Sequence, residues 1–234
     1  MTEQTATREH KMTSHAMIAH AAPGLRRRQI LGLAMGGLVA TAAWQPGMAD
    51  APNATPQAPV AQLNDALLAA MKAGDRMSFQ QRYRMLDPVI GQTFNLDAVL
   101  AASVGLRFAS MQAADKAQLA TAFRRYTVSS YVSNFNSYNG QSFEILPDVR
   151  HVGGNEVVVS TRLLRRDDSP VKLDYVVRRG PDGWQIVDVL TNGSISRVAV
   201  QRSDFVQLLS GGGAPALTVA LDRKVANLSG GMVG

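Results

Sequence analysis

The chain has 234 residues, no cysteine, four histidines and a formal net charge of +6. That length suits one domain with a real core, and the lack of cysteine excludes disulfide staples and thiol chemistry. The charge is unevenly spread, so it does not by itself point to a nucleic-acid partner.

Residues 1–49 read as an address. A polar stretch ends in Arg26, Arg27 and Arg28, an apolar run of 14 residues follows over 30–43, and Gly47-Met48-Ala49 comes after Pro46. Basic, apolar and small-residue segments in that order make a secretory signal peptide. The apolar run falls short of the ~20 residues that span a bilayer. Cleavage is expected after Ala49, with Ala51 the second choice. The string Arg27-Arg28-Gln29-Ile30-Leu31 also fits a twin-arginine export signal, and the general secretory route stays open beside it. Without this segment the chain carries 19 Lys+Arg against 16 Asp+Glu, or +3, and His151 is its one remaining histidine.

Residues 50–59 contain three prolines and read as a flexible leader to a single domain over 60–228, with a tail at 229–234. Helical spacing recurs in Leu63, Leu67, Leu68 and Met71, and again in Met77, Phe79, Tyr83, Leu86 and Ile90, where Pro88 predicts a bend or a break. Asn95 is a good N-cap for a short helix with Leu96, Val99 and Leu100, which Gly105 ends. A long helix is predicted over 113–135, with the stripe Leu119, Phe123, Tyr126 and Ser130 and with Tyr131 alongside.

The period changes from 3.6 to 2 after Asn139-Gly140. Phe143, Ile145 and Val149 alternate with polar neighbours, as do Val157, Val159, Thr161 and Leu163. Val171, Leu173, Tyr175 and Val177 follow, then Trp184, Ile186 and Asp188. Gly153-Gly154, Asp167-Asp168-Ser169-Pro170 and Pro181-Asp182-Gly183 supply the turns. Four strands at hairpin spacing make an antiparallel meander with one packed face. Helices are predicted at 203–209, ended by Gly211-Gly212-Gly213, and at 215–228. The order helices, strands, helices is α+β, with the helices gathered on one face of a four-stranded sheet.

Particular residues then resemble a known family. Leu86-Asp87-Pro88 leads into Phe94-Asn95-Leu96 and Val104-Gly105-Leu106, and residues 123–131 lie in the long helix. Residues 171–175, the segment 183–189, Gly193-Ser194-Ile195-Ser196 and Arg202-Ser203-Asp204-Phe205 complete the set. Over 58–228 the chain resembles the periplasmic phospholipid-shuttle component of the Mla pathway, the MlaC or toluene-tolerance auxiliary family, and within it the hopanoid-associated HpnM branch. Phe108 stands where that family commonly has tryptophan, and Asn95 where it has aspartate. The resemblance implies a lipid cavity between sheet and helices, and cargo of phospholipid or hopanoid type. It also implies hand-over between membrane-anchored inner-membrane and outer-membrane complexes by a monomer in the periplasm.

Catalysis needs groups whose protonation or nucleophilicity can be tuned. After the signal there is one histidine beside a turn, two glutamates (Glu144, Glu156) and no metal-ligand cluster, nucleophile elbow or phosphate loop. No cofactor and no nucleic acid are expected. Asp188 with Tyr175 is the one acid–base pair that an isomerase or dehydratase of this layered type would use. The plainer reading has Asp174 in water and Asp188 taking donors at a strand end. Arginines 162, 165, 166, 178 and 179 gather round one hairpin, and Arg124 and Arg125 lie on the long helix. These read as a solvated face, or as attraction to an anionic surface. An envelope adapter with a groove for a partner helix is the third functional class. The residues expected to line a lipid cavity are Leu86, Ile90, Leu100, Phe123, Tyr126, Tyr131, Val159, Leu173, Tyr175 and Trp184.

Overall fold

The computed structural model describes residues 53–166 and 168–233, so the segment read as a signal peptide lies outside the described residues. Helix α1 (Ala58–Ala73) begins with Pro59 in its first turn, where a missing N–H costs nothing. It buries Leu63, Leu67, Ala70 and Met71 at the predicted spacing. Just before it, Asn53 in the leader is tied down. Its carbonyl accepts from the Trp184 amide at 3.0 Å and its side-chain amide donates to the Gln92 carbonyl at 3.3 Å.

Helix α2 (Phe79–Thr93) follows a 3-10 turn and opens with a capping box. Ser78 Oγ accepts from the Gln81 amide, and Gln81 Oε1 accepts from the Ser78 amide. The predicted break at Pro88 does not occur, and α2 runs through it to Thr93. Both Pro88 and Arg84 are exposed, so the Arg84 carbonyl that loses its helical donor is left to water. Asn95 caps α3 (Leu96–Val104) as expected, accepting from the Ala98 amide at 3.0 Å, and Gly105 ends it at φ +76°. A short α4 (Arg107–Ser110) that the sequence did not signal precedes the long α5 (Ala113–Asn134).

The sheet is antiparallel in the order β1-β2-β3-β4-β5, with five strands where four were expected. Strands β1 (Ser142–Gly153), β2 (Glu156–Leu164), β3 (Val171–Gly180) and β4 (Gly183–Thr191) form the predicted meander. The addition, β5, is only Ile195–Ser196 paired with Leu190 and Thr191, too short to give a period-2 signal. Val157, Val159, Tyr175, Val177 and Ile186 are buried on one face, against the helices.

Two features of the sheet depart from simple alternation. Val177 pairs with Ile186 but Val176 pairs with Asp188, so Val187 is an extra residue and β4 bulges there. Asp188 thereby leaves the face of Ile186, against the plain alternation of Trp184, Ile186 and Asp188, and turns toward β5. On the other face Asp174, expected in water, is completely buried. It lies 3.7 Å from Arg150 and 3.3 Å from Lys172, whose long side chains shield it.

The last helix, α6, starts at Arg197 and reaches Ser229. The two helices expected at 203–209 and 215–228 are halves of this one element, bent where Gly213 takes φ +65° and ψ −156° just before Pro215. Its start is fixed by Asp188. One carboxylate oxygen accepts from the amides of Val189 at 2.8 Å and Val198 at 3.1 Å, and the other accepts from the Ser196 hydroxyl. Ser196 Oγ in turn accepts from the Ala199 amide as the N-cap.

Several arginines form ion pairs that join elements. Arg124 meets Asp87 at 2.7 Å, Arg125 meets Asp222 at 2.7 Å, Arg162 meets Glu144 at 3.4 Å and Arg178 meets Glu156 at 2.6 Å. Arg124 lies across Gly91, where a Cβ would come within 2.5 Å of its guanidinium. Because Asp188 serves three donors, Asp188→Ala should cost about 2 kcal/mol. The expected reading is a lower urea midpoint with an unchanged slope, and an unshifted midpoint would count against the role given to this carboxylate.

Candidate binding cavity

Helix α5 places one face toward the sheet at helical spacing. Phe123, Tyr126, Thr127, Ser130, Tyr131 and Asn134 all open onto a cavity of about 230 Å³. The far wall is Leu173 and Tyr175 of β3 with Val189 and Thr191 of β4. The α2–α3 junction supplies Phe94, Leu96 and Val99, and the start of α6 supplies Arg197, Val198 and Gln201.

The junction is held to the sheet by backbone bonding. The Asn95 amide donates to the Ile186 carbonyl at 3.0 Å, and Phe94 forms a parallel bridge with Ile186 on the open edge of β4. Phe94 then contacts Tyr131 with ring centroids 5.7 Å apart, and Tyr131 stacks on Phe135 at 5.9 Å. Phe123 meets Phe205 of α6 edge to face at 6.4 Å, which holds α5 and α6 together behind the cavity.

Of the ten residues expected to line a lipid cavity, the structure brings Phe123, Tyr126, Tyr131, Leu173 and Tyr175 together round it. Leu86, Ile90, Leu100 and Val159 are buried in the solid core, and Trp184 is partly buried against it. An apolar stripe reports that a side chain is inside, not whether its neighbour is protein or space. The lining from Phe94, Leu96, Val99, Val189, Arg197 and Gln201 was missed. Asn95 and Leu96 carried a helix-start signal, whereas nothing local marks Arg197 as facing a cavity.

Two hydroxyls give the apolar wall a polar element. Tyr175 is 1% exposed and Tyr131 is partly buried, and both line the cavity. Burial raises both well above the ordinary tyrosine pKa. Arg197 pulls that of Tyr131 slightly back, and Tyr131 pushes that of Tyr175 further up. Both therefore remain O–H donors over any ordinary pH.

Asp188 and Tyr175, the acid–base pair weighed from the sequence, both line the cavity. Asp188 reaches the cavity rim, but its oxygens are taken by Val189, Val198 and Ser196. His151 lies exposed in β1 beside the Gly153-Gly154 turn. Among the described residues no group of three His, Asp or Glu could hold a metal ion, and no helix is long and apolar enough to cross a membrane.

An antiparallel sheet backed by helices, with a largely apolar cavity between the layers, is an arrangement that can hold an apolar ligand. Comparison with known families assigns it further: residues 61–223 match the family model described as MlaC protein. The chain belongs to the MlaC family. Its fold is also that of a solved structure, the phospholipid-binding protein from Ralstonia solanacearum in complex with a phospholipid. The two share 22% sequence identity with a TM-score of 0.65, over 75% of this chain and 99% of that one.

The raised tyrosines make a pH prediction. Each has a folded-state value above its unfolded value of about 10, so its contribution to stability is complete below pH 10. That contribution is lost as pH rises beyond 10, because the unfolded chain gives up these protons first. Urea midpoints should fall between pH 8 and pH 11, and replacing both Tyr131 and Tyr175 by Phe should flatten the fall. An equal fall in the double variant would refute this assignment.

Proposed function

We propose that this protein is a periplasmic lipid carrier that holds the acyl part of a phospholipid in the cavity between α5 and β3–β4. The observation that carries the reading is the apolar space itself, in a chain of the MlaC family. The complexed phospholipid of the Ralstonia protein supports it from a relative of the same fold.

Physical chemistry makes such a carrier necessary. Each methylene moved from oil to water costs about 0.8 kcal/mol, so a lipid with ~30 chain methylenes leaves a bilayer for water at a cost on the order of 20 kcal/mol. A protein that returns most of that cost makes transfer nearly neutral, so cargo is both taken and released. It needs no group with shifted reactivity.

The cavity of about 230 Å³ is smaller than the roughly 300–1,000 Å³ of sites for drug-sized ligands. A two-chain lipid therefore enters only if the helices and the sheet part.

The rest of the reading follows from this one. The segment over 1–49 directs export, the mature domain acts as a monomer, and cargo passes between membrane-anchored complexes on the inner and outer membranes. A hopanoid-type lipid is the second cargo class, favoured by the likeness of particular segments to the HpnM branch. An adapter that seats a partner helix in the cavity would instead be free of lipid.

Native mass spectrometry after gentle purification should show a lipid adduct of phospholipid mass at substantial occupancy. Ser130→Trp, which fills the cavity from α5, should keep the melting temperature within a few degrees and reduce the adduct at least about fivefold. A chain that never carries lipid, before or after exposure to phospholipid vesicles, would overturn the carrier reading.

A further inference from the structure

One large apolar side chain stands wholly outside the core. Leu106, between α3 and α4, is 99% exposed, well beyond any other large hydrophobic residue of the described chain. A single surface leucine needs no explanation, but two neighbours extend this one. Phe108 and Met111 are each only partly buried against the core, and α4 itself buries no residue. The backbone holds the tip in place. Gly105 ends α3 at φ +76°, and the Phe108 amide donates to the Gly105 carbonyl at 2.9 Å.

Cations bracket this apolar tip. Arg107 is the one charged residue over 98–114. Lys116 donates to the Ala109 carbonyl at 3.0 Å and lies over the Phe108 ring, 5.4 Å from its centre. Arg202 of α6 donates twice to the Ala102 carbonyl, at 2.9 and 2.6 Å. The acids nearest in sequence are Asp115, in the first turn of α5, and Asp204. Asp115 complements the amide end of α5, and Asp204, two residues beyond Arg202, lies on another face of α6. The tip also adjoins the cavity rim, because Ser103 Oγ donates to Gln201 Oε1 at 3.0 Å and Gln201 lines the cavity.

The size of the apolar surface decides what covers it. Leu106 with the edges of Phe108 and Met111 offers on the order of 100 Å², against roughly 800 Å² per partner in a stable protein interface. A bilayer needs no shaped counterpart. One or two apolar side chains enter its hydrocarbon border while lysine and arginine heads stay among the phosphates. We infer that the tip from Leu106 to Met111 is a membrane-contact site for an anionic phospholipid bilayer. Leu106 and Phe108 enter the interface, and Arg107, Lys116 and Arg202 supply the attraction to its head groups. This goes beyond the holding of cargo, and it brings the adjoining rim to the bilayer surface.

The test uses the chain purified from Asp50 onward, because the apolar run over 30–43 would bind lipid by itself. The described core lies within residues 53–233. This chain is floated at low ionic strength with vesicles of equal phosphatidylglycerol and phosphatidylcholine, or of phosphatidylcholine alone. Wild type should float with the anionic vesicles and about tenfold less with the neutral ones. Leu106→Ser should cut partition into the anionic vesicles about tenfold, and Arg107→Gln about fivefold. Val219→Ser, at an exposed apolar position elsewhere on α6, should change nothing. Leu106→Trp should bind at least as tightly as wild type, with a blue shift of its emission. A bilayer border accepts tryptophan, whereas a protein pocket cut for leucine does not. All three positions are exposed, so melting temperatures should stay within a few degrees. Absent flotation with anionic vesicles, equal flotation with neutral ones, or undiminished flotation of Leu106→Ser overturns the membrane contact. Weaker binding of Leu106→Trp overturns it too, in favour of a protein partner. The lipid adduct in native mass spectrometry judges the carrier reading separately, so lost flotation with the adduct kept removes the membrane contact alone.

Discussion

The carboxylate of Asp188 fixes the geometry on which the cavity depends. A helix that begins directly after a strand leaves unpaired amides at its start, and here two of them are met from the sheet and the cap. By binding Val198 and Ser196 as well as its own neighbour Val189, Asp188 sets where α6 departs from β5. That departure places Arg197, Val198 and Gln201 along one rim of the space. The opposite rim is set by an equally local device, the Asn95 amide on the Ile186 carbonyl. Both devices act on β4, which serves as the common reference for the helices on either side.

Between those rims the layers are kept apart by aromatic side chains rather than drawn fully together. Phe94, Tyr131 and Phe135 contact one another along one wall, while Phe123 and Phe205 pack edge to face behind α5. Rigid rings cannot collapse into the remaining gap as flexible aliphatic chains would, so a space persists. Elsewhere Leu63, Leu67, Leu86, Ile90, Val159 and Leu217 fill the interior completely. The protein thus combines a solid core that supplies stability with a hollow end that supplies capacity.

The architecture was largely legible from periodicity. The change from a 3.6-residue to a two-residue repeat near Asn139-Gly140 marks the real boundary between α5 and β1, and Asn95 sits at a helix start, whereas the start of α6 at Ser196 lies before the helix expected from 203. Local pattern failed where a long-range contact decided the outcome. Pro88 is tolerated because the carbonyl it deprives faces water, and β5 exists only because β4 offers an edge. Asp174 is buried by the reach of Arg150 and Lys172 from flanking positions. The cavity was half legible: the α5 face and the β3 pair followed from their stripes. Arg197 and the α2–α3 junction come from parts of the chain that meet only in the fold.

The extra residue at Val187 has a consequence for how this strand does two jobs. In an unbroken repeat the side chain two positions after Ile186 shares its side, and a carboxylate would then project into hydrocarbon. The inserted position shifts the phase, so Val189 faces inward and Asp188 is free to gather amides at the border. Were this same sequence to pair in plain alternation without the bulge, the two would exchange: the oily wall would gain a charge, and the terminal helix would lose its tether. Insertion, not substitution, is what lets one segment be both lining and fastening.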